Sequence, residues 1–169
     1  NNPQGYKRLF PAMVRSWRKE WNQGEFPFYY VQIAPYDYGR KNADKTEAAE
    51  IRQVQLECLK EIPNAGMVVT ADIGNRTCVH PSDKESVGKR LALWALAKTY
   101  QRSGTPYSGP LYKSFTIDKE KIIVEFDYAE MGMTSYDREI VGFEIAGKDG
   151  IYYPAKAVLF DNKTKVTLT

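Results

Sequence analysis

Phe28-Tyr-Tyr-Val-Gln-Ile-Ala34, closed by Pro35, and Met67-Val-Val-Thr-Ala71 are the two stretches that decide the fold. Each is a short apolar run rich in β-branched or aromatic residues and bounded by turn formers, so each reads as a buried strand. Between them Ile51, Val54, Cys58, Leu59 and Ile62 recur at helical spacing. Asp44 followed by Glu47 supplies an N-cap with a capping-box partner, and Pro63-Asn-Ala-Gly66 ends the helix. Strand, helix, strand in this order predicts a parallel pair joined by a right-handed crossover.

Working outward, Tyr6, Leu9, Phe10, Met13, Val14, Trp17 and Trp21 form an apolar stripe upstream. Pro11 suits a first turn, which places the start of the regular helix near Phe10. Downstream, Ser82 with Glu85 repeats the capping pattern before a third helix carrying Val87, Leu91, Trp94 and Ala95 and ending near Gly104. The grammar then changes. Lys113–Ile117, Lys121–Phe126, Gly142–Ile145, Ile151–Phe160 and Lys165–Leu168 read as five short strands separated by polar turns, an antiparallel sandwich-like segment. The expected organisation is α/β over residues 1–104, followed by a β-rich accessory segment over 105–169. The final Lys163-Thr-Lys-Val-Thr-Leu-Thr169 stops within a strand-like alternation, so the chain reads as part of a longer polypeptide.

Composition excludes several classes. The net charge is +3, from 24 basic and 21 acidic side chains with no basic run, which does not favour nucleic acid as partner. Leu91–Ala97, the longest apolar run, is too short to span a bilayer. One His and two Cys leave too few ligands for a Cys/His zinc site and too few thiols for a disulfide framework. Neither a metal nor an organic cofactor is implied.

In an open parallel sheet, ligands bind beyond the carboxyl ends of the strands. The loops leaving those ends run from Pro35 to Lys45 and from Asp72 to Pro81. The second, Asp72-Ile-Gly-Asn-Arg-Thr-Cys-Val-His80-Pro81, holds the single histidine. A serine hydrolase needs an imidazole to take the hydroxyl proton and return it to the leaving group. It also needs an acceptor on the other ring nitrogen. Asp72 and His80 are candidates for these two roles, while a histidine before a helix also serves as a hydrogen-bonded loop residue and an aspartate after a strand as a turn former. Tyr36 and Arg40 in the first loop are candidate sugar contacts, with Arg40 able to fork a carboxylate. Cys58 reads as core. Cys78, two residues from His80, is poorly placed for a nucleophile, with a Cys/His dyad as the alternative. Asn75-Arg-Thr77 and Asn162-Lys-Thr164 match the short glycosylation acceptor pattern.

Several separated motifs occur together in order: Leu9-Phe-Pro-Ala12 with Trp17-Arg18 and Trp21, Pro27-Phe28 with Val31-Gln-Ile-Ala34, Ile51-Arg52 with Gln55, Asp72-Ile-Gly74, His80-Pro81 with Lys84, and Val87-Gly88 with Arg90-Leu-Ala92. In these, residues 8–102 resemble the carboxyl-terminal part of the esterase domain of sialate O-acetylesterases and related carbohydrate acetylesterases of the SGNH-hydrolase superfamily. Val141-Gly-Phe-Glu-Ile-Ala-Gly147 is similar to the β-rich segment that follows in that family.

The resemblance implies the carboxyl-terminal half of a flavodoxin-like parallel-sheet domain, with His80 as catalytic base. Asp72 matches the family's aspartate but lies eight residues before His80. Many members of the superfamily place the acid three before, where this chain has Thr77, so a main-chain carbonyl is an alternative orienting group. Arg52 and Gln55 become candidate substrate-binding residues. The nucleophilic Ser lies upstream of the matched part, which implies that this chain alone is inactive and needs that segment as partner. The implied substrate is an O-acetylated sugar or glycan, met in the periplasm or outside the cell. A non-catalytic carbohydrate-binding module using Tyr152 and Tyr153, and an acetylxylan esterase, are the alternative readings.

Overall fold

The computed structural model describes residues 2–37 and 47–169. The chain divides into two compact units, residues 1–108 and 109–169.

The first unit opens with α1, Pro3–Trp21. It begins seven residues before the Phe10 start expected from Pro11. Asn2 provides the reason. Its side chain accepts a hydrogen bond from the Gly5 amide at 2.8 Å, and Pro3 occupies the first turn, where its missing N–H is harmless. Pro11 therefore sits inside the helix and denies a donor to the carbonyl one turn earlier, a cost of about 3 kcal/mol that the surrounding packing must offset. The helix ends on Asn22 in the left-handed conformation, with Arg18 and Lys19 in its last turn favourably placed against the macrodipole.

The strands β1, Phe28–Val31, and β2, Ala65–Val68, pair in parallel from Phe28 opposite Ala65 to Val31 opposite Val68. The helix α2, Glu47–Glu61, connects them. Its expected cap, Asp44, lies outside the described residues. Val54, Cys58 and Ile62 of this segment close with Val14 of α1 into a buried cluster, against which Tyr6, Phe10, Met13 and Phe28 pack. Cys58 is fully buried there, as expected for a core thiol.

Both strands end earlier than the apolar runs suggest. The Gln32 amide still reaches the Val68 carbonyl at 2.9 Å, but the next amide, Ile33, donates to the Gln55 side chain instead of a neighbouring strand. The third helix, α3, spans Lys84–Trp94 and continues as one π-helical turn, Ala95–Thr99, closed by Tyr100 N–H to the Ala95 carbonyl. It ends short of the expected Gly104. Its cap is Asp83, which accepts from the Ser86 amide at 2.9 Å, one residue later than the expected Ser82–Glu85 box. Gly66 of β2 leaves room for the Trp94 ring, which would lie 2.5 Å from any Cβ there, and the Trp94 indole donates to the Met67 carbonyl.

The second unit is antiparallel throughout. Six strands form where five were expected: β3 Leu111–Asp118, β4 Lys121–Asp127, β5 Glu144–Ala146, β6 Tyr152–Pro154, β7 Ala157–Phe160 and β8 Lys165–Leu168. The run Ile151–Phe160 is divided after Pro154, where the chain leaves one sheet for the other. The larger sheet has the order β3-β4-β8-β7, and β5 pairs with β6. Val124, Ala157, Val166 and Leu168 are its buried core, with Phe143 and Ile145 from the smaller hairpin packed on them. No helix among the described residues is long and apolar enough to cross a membrane.

Candidate active site

Because β1 and β2 run parallel, the segments that leave them emerge on one edge, and the structure joins them there. Gly74 lies so close to Pro35 that a Cβ would stand 2.6 Å from both its ring and its carbonyl oxygen. The Asp37 amide donates to the Arg76 carbonyl at 3.0 Å, and the Arg76 guanidinium returns to the Asp37 carboxylate at 3.1 Å. Beneath them the Thr70 hydroxyl, fully buried, donates to the Gln32 carbonyl at 2.8 Å.

The loop to His80 is ordered by its own side chains. The Asn75 side-chain oxygen accepts from the Thr77 amide at 2.8 Å, the Cys78 amide at 3.0 Å and the Thr77 hydroxyl at 3.0 Å, an Asx turn that fixes the path of the chain. The exposed Cys78 thiol donates to the His80 carbonyl. His80 itself is exposed, three residues before the cap of α3.

Asp72 and His80 share this loop but not a hydrogen bond. Both Asp72 carboxylate oxygens accept from Arg90 of α3, at 2.7 and 2.5 Å, and the same guanidinium donates to the Val69 carbonyl at 2.6 Å. The hydrogen bonds from Arg90 hold the Asp72 carboxyl below its ordinary range, with partial burial opposing them, and reciprocally raise the Arg90 pKa. Among the described residues, the His80 imidazole makes no hydrogen bond.

The expected sugar contacts separate. Tyr36 is half-buried in the first loop, on the same edge as the His80 loop. Arg40 lies outside the described residues. Arg52 is half-buried, and its carbonyl accepts from the Gln32 side chain at 2.9 Å. Gln55 is buried. Its side-chain oxygen accepts from the Ile33 amide at 3.0 Å, and its carbonyl accepts from the Tyr30 hydroxyl at 2.6 Å. It braces the end of β1 from below, and burial pushes the Tyr30 phenol well above its ordinary pKa. The residue that sequence reasoning left without a role is Arg90. Its signal was present as a basic side chain on a helix that follows an acidic loop, but nothing in the spacing names its partner.

The parallel pair thus presents one histidine on a braced loop beyond its carboxyl edge. No family model matches the sequence. Among solved structures, a carbohydrate acetylesterase from Xanthomonas citri is similar to 97% of this chain, with a TM-score of 0.86 and 34% identity; the chain covers 37% of that protein. The class is therefore that of the carbohydrate acetylesterases.

Sialate O-acetylesterases are similar as well: that of Rattus norvegicus is 29% identical over 140 residues, 73% of this chain, and that of Mus musculus 30% identical over 129 residues, 66% of it. The Homo sapiens protein is 29% identical over 143 residues, 75% of the chain. The chain belongs to the sialate O-acetylesterase family and spans about a quarter of the length of the curated relatives it matches.

Proposed function

We propose that this chain is the histidine-bearing part of a carbohydrate O-acetylesterase acting on acetylated sugars, sialic acid first among them. The single observation that carries the reading is the presentation of His80, beyond the carboxyl edge of β1 and β2, on a loop pinned by Gly74 against Pro35 and by Asp72 against Arg90. The domain is read as the carboxyl-terminal half of an SGNH-like parallel sheet, and the nucleophilic serine comes from an upstream segment. His80 takes the serine hydroxyl proton as the oxygen attacks the acetyl carbonyl, then returns it to the departing sugar hydroxyl. In the second half the same ring takes a proton from water as it attacks the acyl-enzyme, then hands that proton to the departing serine oxygen as acetate is released. Asp72 contributes by positioning the loop through Arg90. Tyr36 is the described residue best placed to meet the sugar. Glycan substrates of this kind place the enzyme in the periplasm or outside the cell.

The test is acetate release from O-acetylated sialic acid, with acetylated xylan beside it. The full-length parent polypeptide, its His80→Ala variant and the isolated chain are compared. Activity in the parent alone, falling by roughly three to four orders of magnitude in the variant, is expected. Equal activity in parent and variant removes His80 from the mechanism, and preference for xylan makes the enzyme an acetylxylan esterase. Tyr152 and Tyr153, both largely exposed on β6, support a second reading as a carbohydrate-binding module. Glycan retention by an inactive parent, abolished by their substitution, would establish it.

A further inference from the structure

The second unit contains an open cleft of about 330 Å³ between the segment before Ile140 and strand β7. Its apolar lining is tied to the sheet: Ile140 forms an isolated antiparallel bridge with Ala157, and both pack with Leu159 in the core of the larger sheet. Its rim carries three cations from three different segments, Arg138, Lys156 and Lys163. Among the described residues none of the three side chains forms an ion pair, whereas Lys113 and Lys165 of the same unit each lie within 4 Å of a carboxylate.

The backbone under each cation is tied down. The Arg138 amide donates to the Ser135 carbonyl at 3.0 Å. Lys156 exchanges two main-chain hydrogen bonds with Thr169, at 2.8 and 3.0 Å, and the Lys163 carbonyl accepts from the Met133 amide at 2.7 Å. Three cations are thus carried on anchored backbone around one cleft with no direct ion pair among the described residues, which leaves their charge available to an anion entering it.

The rest of the lining says what kind of anion. Asp137 and Glu139 share the rim, as do Thr134 and Ser135. Carboxylates repel a phosphate or polyphosphate but accept hydrogen bonds from hydroxyl groups. A ligand that satisfies both sets carries one carboxylate and several hydroxyls, and the volume accommodates a sugar ring with substituents. We propose that this cleft is a binding site for an acidic sugar, the carboxylate received by Arg138, Lys156 and Lys163 and the hydroxyls by Asp137 and Glu139. The proposal is independent of the esterase reading, because it uses no residue of the first unit.

The experiment is titration of the 169-residue chain with N-acetylneuraminic acid, glucuronic acid, glucose and inorganic phosphate, followed by backbone amide NMR. Millimolar binding of at least one acid is expected, with shifts in residues 134–140 and 156–163, and glucose weaker by about tenfold or more. The two acid arms separate a sialic from a uronic ligand. Arg138→Gln combined with Lys163→Gln is expected to weaken binding by about tenfold or more with the thermal midpoint unchanged, since both side chains are exposed. Lys156→Gln alone is expected to act in the same direction. The proposal is overturned if glucose or phosphate binds as tightly as the acids, if the shifts fall elsewhere, or if the charge variants bind unchanged.

Discussion

Arg90 holds both carboxylate oxygens of Asp72 and, with the same guanidinium, the carbonyl of Val69. One side chain of α3 thereby closes the root of the loop that carries His80, joining the end of β2 to the helix on the loop's far side. The fork matters for geometry more than for energy, because Asp72 is largely exposed and solvent screens the pair.

Replacing Arg90 by Gln should therefore lower stability modestly, by about 1 kcal/mol, measured as a shift in the urea midpoint. The effect on acetate release by the intact enzyme should be larger than that stability loss, because the loop is released. Unchanged turnover would show that the fork does not position His80.

The pH dependence of the same pair has a defined sign. Arg90 depresses the Asp72 pKa in the folded state. Its stabilising contribution is complete above the ordinary carboxylate value of about 4 and is lost as pH falls through the depressed one. Thermal midpoints of the chain and of Asp72→Asn should differ at neutral pH and converge in acid. A difference that does not shrink as the pH is lowered below about 4 would contradict this linkage.

Gly74→Ala places a methyl group 2.6 Å from Pro35, where backbone rather than a flexible side chain must yield. A loss of about 1–3 kcal/mol is expected. Because the contact also joins the two loops, the intact enzyme should lose turnover, readable by comparing kcat with the thermal midpoint.

Gln55→Leu keeps much of the volume but leaves the buried-side Ile33 amide without its acceptor. The expected cost is about 1–3 kcal/mol. Gln55→Glu retains an acceptor at the position and should recover part of it. If Gln55 instead touched substrate, its replacement would raise KM at unchanged stability.

Asn2→Ala removes the side-chain acceptor at the start of α1 and should cost about 1 kcal/mol, with fraying detectable by amide exchange through the first turn. The same result would confirm why the helix starts at Pro3 and not near Phe10.

The parallel pair, the three helices and the position of the His80 loop were legible because each is a local pattern. Apolar runs of strand length and 3.6-residue stripes state which face must be buried, and parallel order places both outgoing loops on one edge. Caps and boundaries were less legible. Asn2 against Pro11, and Asp83 against Ser82, are competing start signals whose energies differ by amounts that packing decides. The partner of Asp72 was not legible at all. Eight residues to His80 and eighteen to Arg90 are equally possible spans for a loop, and only the docking of α3 onto β2, through Trp94 over Gly66, brings the guanidinium to the carboxylate. Gln55 shows the same division. The sequence determined that it lies near the middle of the second helix, whereas the tertiary structure decided that its side-chain oxygen receives the Ile33 amide. Sequence periodicity fixes which way a side chain faces along its own element, but a hydrogen bond is decided by distances of a few tenths of an ångström between elements.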